Sequence, residues 1–280
     1  MNLVFAVLAS SAVAIIMRLG EKHIKNNFAM FMANYFVCSL IAFLFMEDKR
    51  PFAPQEGMTF AVLLGLGSGC LYLLSFMLMK HNISKNGVML SSVFMKLGVL
   101  VPTIMAVAAF GEKPTVFNIV GFVLAVAAII IIYLEPGKAE GSKRSGVFLL
   151  LLLFVSGLTE SMANIYDNFG VEAVKDHFLF CNFLTALALA GIMTIVTRRK
   201  ITWKDLVFGV LIGVPNYFAS RFLLLALQDL KAVVVYPIYN VGAIVLISLA
   251  GILLFKEKLS VRKVIGIIMI IGALILLNIN

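Results

Sequence analysis

The chain has 280 residues, of which 62% are hydrophobic and only 13% are charged. Soluble domains carry about 25% charged residues, so this composition excludes a soluble globular protein. The net charge of +9 does not indicate nucleic-acid binding, because most basic residues lie in short connections between long apolar segments. The chain is therefore predicted to be an all-α polytopic membrane protein.

Ten apolar segments follow one another along the chain, and each approaches the roughly 20 residues that a helix needs to cross a bilayer. The first segment lacks the basic residues that begin a signal peptide, so we interpret it as the first membrane helix. The ten predicted spans are 2–19, 28–46, 58–80, 88–110, 115–134, 145–165, 178–197, 204–227, 232–255 and 260–279.

The second half of the chain repeats the first at a shift of 145 residues. Phe255, Glu257, Lys258 and Gly266 correspond in this way to Phe110, Glu112, Lys113 and Gly121. Because each copy holds five spans, an odd number, the second copy would lie inverted in the membrane. We therefore predict two inverted five-helix repeats, residues 1–134 and 146–280, joined by a polar linker at residues 135–145.

Lysine and arginine are distributed unequally between the two sides of this predicted bundle. Sixteen lie at the connections that follow odd-numbered spans, and five lie at the other connections. We call the first side the basic side. Basic loops remain in the cytoplasm, so the basic side is predicted to be cytoplasmic and both termini external. The predicted location is the plasma membrane, which in a bacterium is the inner (cytoplasmic) membrane.

Three charged side chains, Lys96, Glu160 and Arg221, fall inside predicted spans. A charge at the bilayer centre costs at least ~2.5 kcal/mol, so these groups should face a cavity or one another. An ion pair between Glu160 and Arg221 would leave Lys96 as an excess positive charge. Either a substrate anion neutralises this charge, or desolvation lets Lys96 exchange a proton.

Polar residues accompany these charges on the same helix faces. Ser92 and Tyr217 each precede a charged residue by one helical turn, and Asn164 follows one by a turn. We expect these faces to line one substrate cavity. The predicted substrate-binding residues are Lys96, Arg221, Glu160, Tyr72, Ser92, Asn164, Tyr217, Tyr236, Tyr239 and Asn240.

The sequence predicts neither a metal site, nor a cofactor, nor an enzyme active site. The three cysteines, Cys38, Cys70 and Cys181, all lie inside apolar spans, and no Cys or His pair has ligand spacing. A membrane enzyme would need clustered carboxylates for a metal, or a nucleophile with a base, and no such motif is recognisable. The duplicated interior with its charges favours a gated carrier over a passive channel.

Each copy ends in a long helix, a short Glu-Lys turn and a final helix that contains glycine. The residues are Phe110-Gly111-Glu112-Lys113 with Gly121, and Phe255-Lys256-Glu257-Lys258 with Gly266. In these features the chain resembles the EamA-like transporters of the drug/metabolite transporter superfamily. Lys256 departs from this pattern, since the family usually shows glycine there, as at Gly111.

The resemblance implies ten helices around a central cavity, with helices three, four, eight and nine forming much of its wall. It also implies alternating access, often driven by proton or substrate gradients. Family members export amino acids, metabolites and drugs, or import some nutrients.

We therefore predict a secondary active transporter that moves a small polar metabolite, an amino acid or organic acid, by alternating access through a central cavity. Its predicted partners are this small-molecule substrate, the lipid bilayer and, as a candidate coupling ion, the proton. The alternative is proton-coupled efflux of lipophilic or quaternary cations. In that case Glu160 would be the carboxylate that exchanges protons, and the tyrosines would frame the cation.

Overall fold

The structure is a computed structural model that describes residues 1–46, 48–50, 52–102, 105, 115–133, 140–229, 232–257 and 260–277. Within these ranges it does not describe the side chains of residues 132–133, 140–145, 167–168, 224, 227–229, 232–234 and 236–237. The described part of the chain is helical and contains no strand. Its helices are α1 (Asn2–Leu19), α2 (Asn27–Phe45), α3 (Met58–Asn86), α4 (Val88–Lys96), α5 (Val116–Tyr133), α6 (Glu140–Phe169), α7 (Lys175–Thr197), α8 (Trp203–Asp229), α9 (Ala232–Leu253) and α10 (Val261–Leu277).

Six segments of the described chain are long and apolar enough to cross a membrane, as judged from length and composition. They are Asn2–Lys22, Asn27–Phe45, Met58–Asn86, Gly146–Tyr166, Glu172–Thr197 and Trp203–Leu223. Shorter apolar helices lie at Val88–Pro102, Val116–Ile131 and Ile238–Leu253. Together these segments make the chain a multi-pass membrane protein.

Two helices extend well beyond their predicted spans, by five residues or more at one end. α3 continues to Asn86, six residues past the predicted end, and α6 begins at Glu140, inside the predicted linker. Hydropathy locates the hydrocarbon boundary, but a helix continues into water where its residues have adequate helix propensity. α3 ends at Asn86, because Gly87, the next residue, has a φ of 82°, which most side chains do not tolerate.

The fourth predicted span, 88–110, changes its geometry part-way. α4 is α-helical only as far as Lys96, and a 3-10 turn follows at Leu97–Val99. Residues 103–104 and 106–114 lie outside the described residues, and so does the motif Phe110-Gly111-Glu112-Lys113.

Glycines set two close helix contacts in the bundle. A Cβ atom at Gly209 would overlap the Met30 carbonyl oxygen, and one at Gly213 would lie 2.7 Å from the Asn34 carbonyl oxygen. α8 therefore approaches α2 closely. Gly65 and Gly69 allow the same approach of α3 to α7. In a membrane, such contacts replace the hydrophobic driving force that soluble helices have.

The other helix pairs follow a regular pattern. α2 packs against α8 and α7 against α3; α1 packs against α8 and α9, whereas α6 packs against α3 and α4. α5 packs mainly against α10. As a result, α1, α3, α4, α6, α8 and α9 surround a common interior space.

Candidate functional site

A central cavity of about 200 Å³ lies between these six helices. Its volume is far above the ~10–15 Å³ that one water molecule requires. The wall nearest the basic side is apolar and includes Met17, Met79 and Ile247, all of which are buried. Lys96, Glu160 and several hydroxyl groups line the remainder. The cavity therefore combines a hydrophobic surface with two ionisable groups, as small-molecule sites commonly do.

Lys96 ends α4 and enters the cavity wall from there. The residue is only 7% exposed, and its Nζ lies 3.8 Å from the centroid of the Tyr239 ring. An ammonium over an aromatic face is stabilised by the ring quadrupole, by up to ~2 kcal/mol when desolvated. Tyr239 thus holds the ammonium in place without neutralising it.

Glu160 reaches the same cavity from α6, where that helix crosses α4. Gly98 and Gly157 meet at the crossing, because a Cβ on Gly98 would lie 2.8 Å from the Gly157 nitrogen. Ser156 reinforces it, since its Oγ lies 3.0 Å from the Met95 carbonyl oxygen. This crossing lies between the two charged residues and brings both into one wall.

Neither ionisable group has an ionic partner in the part of the chain that the structure describes. Lys96 and Glu160 line the same cavity, yet no ion pair within 4.0 Å joins them to each other or to another described residue. Ser75 and Ser92 also line the cavity, and their buried hydroxyls have no hydrogen-bond partner among the described residues. Buried polar groups are normally paired, so these four groups are available to a ligand.

Tyr72 also lines the cavity, and its hydroxyl donates a hydrogen bond to Asn216 Oδ1 at 3.0 Å. Asn216 in turn donates from Nδ2 to Asn34 Oδ1 at 3.2 Å. Asn216 is not among the predicted site residues, although it is a polar residue inside an apolar span and precedes Tyr217 directly. The chain of bonds fixes the Tyr72 ring against the cavity.

Arg221 lies elsewhere, in a second cavity of about 350 Å³. Its Nη1 lies 3.7 Å from Asp176 Oδ1 and donates to the Tyr217 hydroxyl at 3.2 Å. Its guanidinium carbon also lies 4.5 Å from the centroid of the Phe45 ring. The predicted pairing partner, Glu160, lines the central cavity instead, so the structure pairs Arg221 with a different carboxylate.

Further charges surround this second cavity, including Asp48, Glu172 and Lys175. Arg50 donates to both carboxylate oxygens of Asp48 at 3.1 Å, which lowers the pKa of Asp48 and keeps it ionised. His177 also lines this cavity, but its buried ring has no hydrogen-bond partner among the described residues.

The structure thus brings five of the ten predicted residues to the central cavity: Lys96, Glu160, Tyr72, Ser92 and Tyr239. Arg221 lines the second cavity, and Tyr217 is buried beside it. Asn240 is buried on α9 and Asn164 lies one turn beyond Glu160, both outside the described wall of either cavity. The side chain of Tyr236 lies outside the described residues.

Comparison with known families agrees with this architecture. Residues 1–134 match the EamA-like transporter family. Residues 178–270 match the family described as Small Multidrug Resistance protein. The two matches are consistent with the drug/metabolite transporter superfamily, so the resemblance predicted from the sequence is confirmed.

Two further similarities cover nearly the whole chain. An uncharacterized protein of Haemophilus influenzae is 25% identical over 285 residues, which cover 98% of this chain and 96% of that protein. A crystal structure of another protein shares the fold with a TM-score of 0.66 at 12% identity, covering 98% of this chain and 94% of that one. The family matches indicate a membrane transporter, while the structural match shows the fold alone.

Proposed function

We propose that this protein is a secondary active transporter that carries a small polar metabolite, an amino acid or organic acid, across a cell membrane. The observation that carries this proposal is the presence of two unpaired ionisable groups, Lys96 and Glu160, in one buried cavity. A substrate carboxylate would neutralise Lys96, and a substrate ammonium would pair with Glu160. Without a ligand, each group bears a desolvation cost that no direct ion pair with a described residue offsets.

The proposed transport cycle is alternating access between two inverted repeats, residues 1–134 and 146–280. The helix pairing supports it, because the contacts of one repeat recur in the other. Each helix is replaced by its counterpart five positions along the chain, and the count returns to α1 after α10. The α2–α8 contact corresponds to α7–α3, the α1–α8 contact to α6–α3, and the α1–α9 contact to α6–α4. Matched pairing of this kind is expected of inverted repeats that rock about a shared site.

We place the protein in the inner membrane of a bacterium, with the basic side in the cytoplasm. The relative from Haemophilus influenzae supports a bacterial source, and the distribution of lysine and arginine supports the orientation. Proton coupling is part of the proposal, since an unpaired carboxyl in a buried cavity is suited to proton exchange.

The proposal is tested by ligand-induced thermal stabilisation of the purified protein, across amino acids, organic acids, phosphorylated metabolites and quaternary amines. A ligand that binds only the folded state raises the unfolding temperature by mass action. We expect an amino acid or organic acid to stabilise the wild type and Arg221→Met. Lys96→Met should lose the response, with affinity falling by roughly 10- to 100-fold for a lost charge-assisted bond of ~1.5–3 kcal/mol.

Arg221→Met is the matched control, because it removes a cation that lies inside a helix but outside the central cavity. Equal responses of Lys96→Met and wild type would contradict the proposal. Stabilisation by quaternary amines alone, lost in Glu160→Gln, would instead favour the efflux of lipophilic cations. The ligand found in this screen is then tested for counterflow in proteoliposomes, which a passive channel does not support.

A further inference from the structure

Glu257, in the charged turn between α9 and α10, binds the first residues of α4. Its Oε1 accepts a hydrogen bond from the Val88 nitrogen at 2.8 Å, and its Oε2 accepts one from the Met89 nitrogen at 3.3 Å. The first N–H groups of a helix have no partner within the helix and carry a partial positive charge. Glu257 thus caps α4 with a carboxylate from another helix pair.

The turn between α3 and α4 is shaped to admit this carboxylate. Gly87 has a φ of 82°, and a Cβ atom there would lie 2.7 Å from Glu257 Oε2. Any other residue would be strained in this conformation and would also displace the carboxylate. Glycine at this position is therefore required both by the turn and by the contact with Glu257.

Arg18, at the end of α1, joins the same cluster. Its Nε lies 3.4 Å from Glu257 Oε1, and its Nη1 donates to the Ile83 carbonyl oxygen in the last turn of α3 at 3.1 Å. Arg18 also pairs with Glu21. The Glu257 side chain is only 9% exposed, so this is a largely desolvated contact that ties α1, α3 and α4 to the end of α9.

These four helices also carry the wall of the central cavity on its basic side. Met17 and Met79 line the cavity next to Arg18 and Lys80 in sequence, and both belong to one buried apolar cluster with Ile83 and Val88. The Glu257 cluster therefore lies outside an apolar layer that separates the cavity from the basic side. A path from the cavity to the basic side opens only if the apolar layer separates and the contacts of Glu257 break.

α4 begins at the Glu257 cluster and ends where the helix changes from α-helical to 3-10 geometry. Glu257 holds its first residue, and the 3-10 turn Leu97–Val99 follows directly after Lys96. A 3-10 segment inside a helix often marks a hinge. Motion of the nine-residue segment about this turn would move Lys96 and open the basic side together.

We propose that Glu257 is the gate residue of the basic side: it holds the cavity closed there and releases α4 when the cavity opens to that side. This inference rests on the alternating access proposed above. The contact lies at the end of the bundle, where water can replace the carboxylate on the N–H groups once it withdraws. The gate can therefore open without leaving these donors unpaired.

A second carboxylate on the same side provides an internal contrast. Asp205 accepts hydrogen bonds from the Lys25 nitrogen at 2.8 Å and from the Thr202 nitrogen at 2.8 Å. It joins the α1–α2 connection to the start of α8, where α2 and α8 are in close contact through Gly209. α2 does not contribute to the described cavity wall, so breaking the Asp205 contact should not open the cavity.

The test measures the access of a membrane-impermeant thiol reagent to the cavity. The three native cysteines are replaced, and a single reporter is introduced as Ala14→Cys, at a buried residue of the cavity wall. Cells and inverted vesicles are labelled separately, and a Lys25→Cys variant identifies which preparation exposes the basic side. Glu257→Gln is expected to raise labelling from the basic side about tenfold, because a hydrogen bond to a charged group contributes at least that much to an equilibrium.

Asp205→Asn is the matched control, and it should label at the parent rate. Gly87→Ala is a second test that keeps the charge and displaces the carboxylate, so it should raise labelling even if Glu257→Gln fails to reach the membrane. An unchanged rate in whichever of these two variants is inserted overturns the gate. Because labelling requires no substrate, this result is separate from the outcome of the ligand screen.

Discussion

The two charged sites within the bundle differ in how their charges are compensated. In the second cavity, Arg221 has a carboxylate, a hydroxyl and an aromatic ring around it. In the central cavity, Lys96 lies over the ring of Tyr239, and neither Lys96 nor Glu160 forms an ion pair within 4.0 Å with a described residue. Both sites hold charges inside membrane helices, yet among the described residues only the central site has a lysine and a carboxylate that lack a direct ion pair.

This difference distinguishes a structural ion pair from a candidate binding site. A compensated pair such as Arg221 and Asp176 joins α8 to α7 and gains little from a ligand. Uncompensated charges in a cavity gain most of their stabilisation when a ligand arrives, which is the condition for selective binding.

Glu160→Gln should produce the largest change in ligand selectivity. The substitution keeps the shape of the side chain but removes the charge that would pair with a substrate ammonium. Zwitterions should lose roughly tenfold or more in affinity, because a charge-assisted bond contributes ~1.5–3 kcal/mol. Organic anions without an ammonium group should bind at least as well as before. Titration of both ligand classes by thermal shift measures this, and equal losses for the two classes would contradict the assignment.

Ser92→Ala should have an intermediate effect on binding and almost none on the free protein. The hydroxyl is buried in the central cavity and has no partner among the described residues, so its removal leaves no protein group unpaired. Ligand affinity should fall by about two- to tenfold, as expected for a neutral hydrogen bond of ~0.5–1.5 kcal/mol. Ser39→Ala is the control, since Ser39 is a comparably buried serine without a partner in the described chain, away from the central cavity. A loss of affinity in both variants would point to a general packing effect.

Arg221→Met and Asp176→Asn should have the smallest effects, and these should appear in stability rather than in binding. The side chains are 26% and 38% exposed, so solvent screens the pair and its contribution is about 0.2–1 kcal/mol. The double variant should be less destabilised than the sum of the single variants, because each removes the same interaction. Unfolding temperatures give the coupling. A loss of ligand affinity in Arg221→Met would place this residue in the binding site after all.

Much of the site was recognisable before any tertiary information. Lys96 and Glu160 were selected because a charge inside an apolar span is costly and therefore has a reason to be there. Arg221 is also a charged residue inside an apolar span, so the sequence predicts it as a binding residue together with Lys96 and Glu160. Its partner, Asp176, lies on another helix, and only the packing of α7 against α8 brings the two together. Asn216 was missed because the residue that precedes Arg221 by one helical turn is its neighbour Tyr217, so the helical spacing did not select it.

The sequence by itself determined the class of membrane protein, the positions of most helices and the identity of the two charges that distinguish the central cavity. These properties follow from local composition, because the transfer of each residue into hydrocarbon depends on that residue and its neighbours along the helix. The tertiary structure alone decided which charges are compensated, and it alone showed that Glu257 caps α4. Such pairings depend on which helices meet, and the energy of a buried charge is set by the groups within a few ångströms of it in space.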